Sequence, residues 1–245
     1  MRYEYKYVIN KELLLSLRQM TAPFTEIDKH AKHLLHQQYT VRSIYYDTPD
    51  LAMFHAKTEH LSHRLKVRIR GYNEYMPEKE VFFEIKRKYQ GPIVKNRAKI
   101  RFEDAVKLMQ NSALEEFEIN TENSDNLKRF FYQLYSKRLQ PLINIIYERE
   151  PFIGKVNSKN NDFRMTIDKN LRVIAHPKIE QLFSDEGTSL VMPEQFILEI
   201  KFNLACPEWV KPILAKLAVE KVPASKYVMC IEHLGLQNQL FKSFV

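Results

Sequence analysis

The sequence predicts an α+β fold in which about eight antiparallel strands close into a barrel, a tunnel with helices packed outside. The main observation is a set of segments that alternate polar and apolar residues with a period of two, which is typical of strands with two unlike faces. These segments are 3–9, 40–47, 63–72, 80–88, 93–101, 142–150, 162–168 and 195–203. Few helical patterns separate them in the manner of βαβ units, and no linker or repeat interrupts the chain. We therefore predict one domain, residues 1–245.

Helical spacing accounts for the segments between these strands. The predicted helices are 11–20, 103–110, 124–139, 208–219 and 227–242. In the third, one apolar face is formed by Leu127, Phe130, Phe131 and Leu134. Ser124 or Asp125 is its predicted N-cap, because a short polar side chain there can accept hydrogen bonds from the first turn.

Composition indicates an anionic partner. The formal charge is +8, which favours nucleic acid, an acidic membrane surface or a phosphorylated molecule. The chain has only five glycines and neither of the common glycine-rich phosphate loops. No apolar run approaches the ~18 residues of a membrane span, and the N-terminus is charged where a secretory signal is apolar. Two cysteines, Cys206 and Cys230, are too few for a disulfide framework, so we predict reduced thiols in a cytoplasmic protein.

Basic residues concentrate on one face of several predicted strands. The rows are Arg64, Lys66, Arg68 and Arg70; Glu84, Lys86 and Lys88; and Lys95, Arg97, Lys99 and Arg101. For any single strand, a charged face turned to water is the ordinary explanation. Adjacent like charges repel, however, and solvated faces usually mix both signs. Together the rows predict a basic interior that binds a polyanion.

A few carboxylates interrupt the basic rows, at Glu4, Glu84, Glu148, Asp168 and Glu199. They would repel a phosphate group unless a divalent cation lay between them. Mg²⁺ and Mn²⁺ bind one or two carboxylates together with phosphate oxygens. The sequence therefore predicts Mn²⁺ or Mg²⁺ as the cofactor.

An ordered series of short motifs covers roughly residues 1–230. The motifs are RYEYKYVI at the start, SIYYDTPD at 43–50, RLKVRIRGY at 64–72, FFEIKRK at 82–88, IVKNRAKI at 93–100, YEREPF at 147–152, FRMTIDKNL at 163–171, FILEIKF at 196–202 and SKY at 225–227. In this order they resemble the VTC domain, the polyphosphate polymerase domain of the triphosphate tunnel metalloenzyme (CYTH-like) superfamily. Each motif alone is weak, whereas the ordered series is specific.

The resemblance implies a role for individual residues. Those implied to act on the transferring phosphate are Lys6, Arg68, Arg70, Lys86, Tyr147, Arg149, Arg164 and Lys226. Those implied to bind substrate are Lys66, Lys88, Lys95, Arg97, Lys201 and Ser225. Glu199 and Glu84 are the implied metal ligands. The implied partners are ATP and polyphosphate, and the implied reaction is transfer of the ATP γ-phosphate onto a polyphosphate chain with release of ADP.

Three alternatives stay open at this point. Hydrolytic relatives of the CYTH type begin with ExExK, whereas this chain has Arg2 at the first glutamate position, which disfavours triphosphate hydrolysis. A non-catalytic polyphosphate-binding protein is the second alternative. Nucleic-acid binding is the third, with Tyr45, Tyr46, Phe82 and Phe83 available for stacking. We do not expect it, because Glu84 and Glu199 lie within the basic rows.

Two further features of the sequence need separate explanations. His30, His33 and His36 recur every third residue but lack the further ligands of a zinc site, so we predict surface histidines. Eukaryotic VTC proteins also carry an inositol-phosphate-sensing region and membrane helices. We expect neither in this chain.

Overall fold

The computed structural model describes residues 2–90, 93–111, 121–155 and 162–238. This part of the chain contains one large antiparallel sheet and six α-helices. The strands are β1 (Arg2–Asn10), β2 (Thr25–Ile27), β3 (Tyr39–Asp47), β4 (Arg64–Tyr72), β5 (Glu80–Lys88), β6 (Ile93–Arg101), β7 (Gln140–Gly154), β8 (Arg164–Ala175), β9 (Ser189–Leu190) and β10 (Gln195–Asn203). The helices are α1 (Leu14–Thr21), α2 (Ala52–Thr58), α3 (Phe102–Asn111), α4 (Thr121–Ser136), α5 (Val210–Lys216) and α6 (Lys226–His233). The predicted combination of an antiparallel sheet with several helices is confirmed.

The strands follow the order β1-β10-β8-β7-β3-β4-β5-β6, with β2 paired to β7 and β9 paired to β8. Strands β1 and β6 end this order, and in the described residues they do not pair with each other. The predicted closed barrel is therefore not confirmed. Sequence alternation specifies the face that each strand buries, but it carries no information on whether the two end strands meet.

The chain divides into two compact units. Unit 1 comprises Met1–Thr40, Tyr147–Leu171 and Leu190–Ser225, and unit 2 comprises Val41–Ile146, Arg172–Ser189 and Lys226–Val245. Strands β7 and β8 contribute residues to both units. Each unit has its own apolar core, as described below. The single domain expected over residues 1–245 stays a prediction.

In unit 2 the core lies between one face of strands β3–β6 and helices α3 and α4. Ile69 and Phe83 from the sheet are almost fully buried there, and the Phe83 ring meets Phe130 of α4 edge to face at 4.9 Å between centroids. The glycine at position 71 allows close packing, because an added Cβ would lie 2.6 Å from the ring Cζ of Phe183. The apolar positions of the strand pattern thus face the helices.

In unit 1 the core lies between strands β1, β8 and β10 and helices α1 and α5. Ile9 and Leu198 are buried from the sheet, and Leu17 and Leu214 are buried from the two helices. Both units therefore cover one face of their strands with helices and leave the alternating polar positions on the opposite face. This is the pattern that the period of two predicts.

The element bounds agree with the sequence for most strands, but β7 and β8 extend well beyond the predicted 142–150 and 162–168, and several helices differ. The predicted helix at 11–20 begins as a 3₁₀ turn, and a helix at Ala52–Thr58 was not predicted. The predicted cap of α4 at Ser124 or Asp125 is wrong, since the helix begins at Thr121. The added turn is held to β6, because the Asn123 side-chain oxygen accepts the backbone N–H of Lys99 at 3.0 Å.

The last predicted helix, 227–242, is too long. Helix α6 ends at His233, and Gly235 follows with a φ of +65°, a left-handed conformation that commonly terminates helices. The end of the predicted helix lies outside the described residues, which stop at 238. The short strands β2 and β9 were also not predicted, because three and two residues are too few to show a period.

Other expectations can be compared directly with the described residues. His30, His33 and His36 are exposed, which confirms them as surface histidines. Cys206 and Cys230 are both free thiols, as predicted. Among the helices described, none combines the length with the apolar character required to cross a membrane.

Candidate functional site

A basic surface covers the polar face of strands β3–β6 in unit 2. We call it the unit 2 basic face, and its basic residues are Arg64, Lys66, Arg68, Arg70, Lys86, Lys88, Lys95, Arg97, Lys99 and Arg101. The strand register aligns them in cross-strand rows. One row runs Tyr45–Arg68–Glu84–Arg97, and the next contains Lys66–Lys86–Lys95. Three lysines side by side on neighbouring strands repel one another, so this row favours a bound anion.

Arg68 is the most highly connected residue of this face. Its Nε donates to Glu84 Oε2 at 2.7 Å, and its Nη1 donates to the Tyr45 hydroxyl at 2.7 Å. Glu84 also accepts from Arg97, at 3.3 Å, and the Arg97 guanidinium lies 3.6 Å from the centroid of the Phe82 ring. Burial opposes ionisation of Glu84, but the three arginines around it lower its pKa. Glu84 is therefore an anion that holds two arginines in place.

Arg70 is half-buried like Arg68, but the partner of its hydrogen bond is neutral. Its Nε donates to the Ser43 hydroxyl at 2.9 Å. In the part of the chain that the structure describes, Arg70 has no carboxylate partner. The charge of Arg70 helps to lower the pKa of Glu84, but its donors beyond the one that binds Ser43 suit a phosphate group, which arginine binds through two parallel hydrogen bonds.

Tyr45 reports the electrostatic potential of the unit 2 basic face. Burial alone would raise its pKa, but the charges of Arg68, Lys66 and Arg70 outweigh burial and lower the pKa to about 7. The ring stacks on Tyr227 of α6, with 5.2 Å between centroids. A tyrosine made acidic in a buried position requires a strongly positive surrounding.

Helix α6 is fixed to strand β3 through Asp47. The Tyr227 hydroxyl donates to Asp47, which also accepts the backbone N–H groups of Met53 and Phe54 at the start of α2. Asp47 thus has a structural role, because it joins β3 to α2 and α6. Because Tyr227 packs on Tyr45, the preceding residue Lys226 begins α6 beside the unit 2 basic face.

A second polar surface, in unit 1, has nearly balanced charge. We call it the unit 1 mixed face, and its charged residues with described side chains are Lys6, Arg149, Arg164, Lys201, Glu4, Asp168 and Glu199. Lys6 lies opposite Glu199 in the register of β1 and β10, and Glu4 lies opposite Lys201. The Lys6 ammonium pairs with Glu4 at 3.0 Å.

Arg149 is the centre of the unit 1 mixed face. It binds Asp168 through two hydrogen bonds, Nε to Oδ1 at 2.6 Å and Nη2 to Oδ2 at 2.8 Å, and its Nη2 lies 3.8 Å from Glu199. The Asp168 side chain is fully buried. Burial opposes the charge of Arg149, but Asp168 outweighs burial and raises the arginine pKa. The Arg149 guanidinium lies 5.3 Å from the centroid of the Tyr147 ring.

Lys201 has the opposite tendency to Arg149. Burial lowers the pKa of its amine to about 7, and repulsion from Arg149 adds to this, while Glu4 opposes it. The amine contacts Glu199. With a pKa of about 7, the Lys201 amine is partly protonated near neutral pH, and nearby carboxylates such as Glu4 favour its charged form.

Two hydroxyl groups of unit 1 have unused hydrogen-bonding capacity. Thr166 Oγ1 and Ser225 Oγ are buried, and within the described residues neither has a hydrogen-bond partner. Thr166 lies opposite Glu199 in the register of β8 and β10, on the unit 1 mixed face. An unsatisfied buried hydroxyl costs free energy unless a ligand or water satisfies it, so both favour a polar ligand.

The predicted residues thus fall into two groups. Unit 2 contains Lys66, Arg68, Arg70, Lys86, Lys88, Lys95, Arg97, Lys226 and Glu84. Unit 1 contains Lys6, Tyr147, Arg149, Arg164, Lys201, Ser225 and Glu199. Arg164 is more than half exposed, and its nearest acidic partner is Asp28 at 3.5 Å. The roles assigned to all of these residues stay predictions.

Glu148, one of the carboxylates expected among the basic rows, does not lie on the unit 1 mixed face. Glu148 accepts from Gln38 at 3.2 Å and from Asn170 at 2.9 Å. Its neighbour in the strand, Arg149, points to the opposite face, because successive side chains of a strand alternate. The expectation that Glu148 lies among the metal-bridging carboxylates is therefore wrong.

The carboxylates can be tested as metal ligands from their contacts. Within the described residues no three His, Cys, Asp or Glu side chains form a metal-binding group. Glu199 has hard oxygen donors and lies opposite Thr166 in the register of β8 and β10, which suits an ion that takes its remaining ligands from phosphate and water. Both oxygens of Glu84 already bind arginines. Glu199 contacts Lys201 through one oxygen, but its other oxygen lies 3.8 Å from Arg149, beyond a hydrogen bond, so Glu199 fits a substrate-dependent divalent ion better than Glu84 does.

Several residues of these faces were not among the predicted site residues. Ser43, Tyr45 and Thr166 alternate with apolar residues in β3 and β8, so the period of two contained a signal for them. Neutral hydroxyl groups do not stand out in the charge pattern that marks the basic rows. The burial of Asp168, in contrast, has no local signal.

Comparison with protein families gives the same family that the motifs resemble. Residues 1–234 match the family model of the VTC domain. No curated protein matches the chain in sequence. Among solved structures, the chain is similar to HpAC1 from Hippeastrum, described as a proposed adenylyl cyclase with a dominant triphosphatase activity. The identity is 13% and the TM-score 0.49, and the match covers 95% of this chain and 96% of that chain.

Proposed function

The chain belongs to the VTC domain family, and from this premise we propose that it is a polyphosphate polymerase that uses ATP. In the proposed reaction a terminal oxygen of the phosphate chain forms a bond to the γ-phosphorus of ATP. The bond between that phosphorus and the β–γ bridging oxygen breaks, and ADP leaves. The observation that supports this most strongly is the concentration of basic residues on the unit 2 basic face, where the register places Lys66, Lys86 and Lys95 side by side on neighbouring strands.

In this proposal the unit 2 basic face binds phosphate groups. Arg70 supplies donors that no carboxylate occupies, and Arg68 is oriented by Glu84. Lys66, Lys86 and Lys226 add positive charge around them. Phosphoryl transfer requires little covalent chemistry from a protein, so positioning and charge stabilisation account for most of the catalysis.

The unit 1 mixed face is proposed to act on the transferring phosphate. The paired geometry of Arg149 and Asp168 fixes the guanidinium fork, so little reorganisation is required when charge develops on the phosphoryl group. Tyr147 lies against that guanidinium, and Lys6 and Arg164 complete the cations. Ser225 would satisfy its unpaired hydroxyl by donating to a phosphate oxygen.

A divalent ion, Mn²⁺ or Mg²⁺, is proposed as the cofactor. Glu199 would hold it, and Glu84 is the weaker candidate because arginines occupy its oxygens. When bound, such an ion neutralises charge on the phosphate oxygens. The Thr166 hydroxyl, opposite Glu199, could orient a water molecule or a phosphate beside it.

Triphosphate hydrolysis is a second candidate for the same residues. The observation that favours it is the set of carboxylates on the unit 1 mixed face, Glu4, Asp168 and Glu199, which could orient an attacking water. Each of them already contacts a cation, Lys6, Arg149 or Lys201 respectively, which leaves fewer of its lone pairs to orient a water. We therefore place polymer synthesis first.

Product analysis distinguishes the two reactions. The protein is incubated with ATP and Mn²⁺, or with ATP and Mg²⁺, and the products are separated by size. A polymerase yields ADP and a phosphate polymer in amounts that match each other. Inorganic phosphate without polymer would replace the proposal with hydrolysis, and intact ATP together with tight binding would indicate a binding protein.

A further inference from the structure

A basic cleft lies on the helix-covered side of the sheet in unit 2, away from the unit 2 basic face. It has a volume of about 540 Å³, which is within the range of small-ligand sites. We call it the α4 cleft, and its lining is Ile85, Arg87, Lys128, Arg129, Tyr132 and Gln133. Three of these six side chains are cations, and none is acidic.

Arg87 belongs to this cleft and not to the neighbouring basic row. It lies between Lys86 and Lys88 on β5, so the alternation of the strand directs it to the opposite face of the sheet. The α4 cleft is therefore distinct from the surface to which the polymerase reaction is assigned.

A chain of hydrogen bonds holds Arg87 in position. Its Nη2 donates to Asn96 Oδ1 at 2.7 Å, and Asn96 Nδ2 donates to Asn126 Oδ1 of α4 at 3.1 Å. Both partners are neutral amides. In the described part of the chain no carboxylate pairs with Arg87, although its side chain is half-buried. A preorganised guanidinium without a counter-ion has donors left for an anion.

We propose that the α4 cleft binds a chain of linked phosphate groups. Lys128 and Arg129 are exposed at successive positions of α4, and with Arg87 they place three cations around one cleft. One phosphate would balance only part of this charge, whereas a di- or triphosphate would contact all three cations. The group could come from inorganic polyphosphate or from a nucleotide. Tyr132, which is 67% exposed, offers a ring on which a base could stack.

Calorimetric titration with tripolyphosphate tests the site on the full-length chain. Wild type should bind it in two classes of site, one of which belongs to the α4 cleft. The exposed pair is changed in Lys128→Gln/Arg129→Gln, which should weaken one class at least about tenfold, because charged hydrogen bonds are lost, and leave ATP turnover unchanged. The matched control is Lys137→Gln/Arg138→Gln, which removes the same charge just beyond the end of α4.

A second pair of variants separates this site from the proposed reaction. In Arg68→Ala/Arg70→Ala, turnover should fall while the α4 cleft class of binding stays. Titration with ATP identifies the source of the phosphate chain, since Tyr132→Ala should weaken ATP but not tripolyphosphate if a base stacks there. Equal weakening by the control pair, or loss of all binding in Arg68→Ala/Arg70→Ala, overturns the proposal. So does tighter binding of polyglutamate or a single-stranded oligonucleotide than of tripolyphosphate.

Discussion

The two polar faces use the same strand alternation but differ in their balance of charge. On the unit 1 mixed face each carboxylate contacts a lysine or arginine, for example Asp168 with Arg149 and Glu4 with Lys6. On the unit 2 basic face Glu84 binds two arginines, and the hydrogen bond of Arg70 within the described residues goes to the neutral hydroxyl of Ser43. Unit 1 thus pairs each carboxylate of its polar face with a cation, whereas the unit 2 basic face carries more cations than carboxylates, even with Lys99 paired to Glu80 and Arg101 to Asp104.

Two residues with a pKa of about 7 show the same difference. In unit 1, burial is the main cause that lowers the pKa of Lys201, because exclusion of water disfavours the charged amine. In unit 2, burial alone would make Tyr45 less acidic, and the surrounding cations reverse this. Under the proposed function, the unit 2 basic face would hold phosphate groups and the unit 1 mixed face would act on the transferring phosphate.

The largest effect is expected at the centre of unit 1, in Arg149→Ala. Turnover should fall by about 10²–10³-fold, because one positioned donor to the transferring phosphate is lost. Stability should fall as well, by about 3–5 kcal/mol, because the fully buried Asp168 loses the two hydrogen bonds from Arg149. Steady-state kinetics and chemical denaturation measure the two losses separately.

The double variant Arg149→Ala/Asp168→Asn is the matched control for this prediction. It removes the orphaned carboxylate, so it should recover much of the stability but none of the activity. Recovery of turnover in the double variant would show that Arg149 acts only through the fold.

A smaller effect on stability is expected in unit 2, for Arg68→Ala. Turnover should again fall about 10²-fold, since a phosphate donor is lost. The free energy of unfolding should change little, because Glu84 keeps Arg97 as a partner at 3.3 Å and is not left alone. Thermal unfolding of the two alanine variants side by side tests the comparison. A loss of stability as large as that of Arg149→Ala would contradict it.

The metal prediction compares one carboxylate from each unit. In Glu199→Gln the metal concentration for half-maximal activity should rise at least about tenfold, as an anionic ligand becomes neutral. Glu84→Gln should affect metal dependence less, because its oxygens bind arginines. Activity titrated with Mn²⁺ measures both. If Glu84→Gln gave the larger shift, the assignment of the ion to Glu199 would be wrong.

The sequence predicted which segments form strands, and which face each side chain takes, better than it predicted contacts between distant parts of the chain. The rows on β4, β5 and β6 could be predicted because neighbouring strands in sequence pair with each other, so the period of two settles which side chains align. The buried Arg42 could not be predicted. It binds Glu74 and Asp185, and the second lies 143 residues away along the chain. Contacts of that range depend on packing that no local pattern encodes.

Tyr45 belongs to the same category as Arg42. Its position in β3 follows from alternation, but its acidity arises from three cations on β4, a strand that begins 19 residues later. Nothing in the sequence marks Tyr45 as ionisable near neutral pH. Its acidity, which tests the charge difference between the two faces most directly, could therefore not be predicted.

The smallest expected effect is the pH dependence of phosphate binding through Tyr45. With a pKa of about 7, the hydroxyl is increasingly ionised above that pH in the unliganded protein. A bound phosphate neutralises Lys66, Arg68 and Arg70, so the phenolate loses its stabilisation and must take up a proton. Affinity for tripolyphosphate should therefore fall above about pH 7, by at most about tenfold per pH unit for one linked proton.

Tyr45→Phe removes this proton and should flatten the profile by the same amount, measured by calorimetry between about pH 7 and pH 9, and any titration of the ligand itself is the same for both proteins. Lys201 also loses charge in this range, and its contribution remains in both proteins. The difference between wild type and Tyr45→Phe therefore isolates unit 2. Parallel profiles would mean that the cations do not make Tyr45 acidic, and the proposed excess of positive charge on the unit 2 basic face would lose its support.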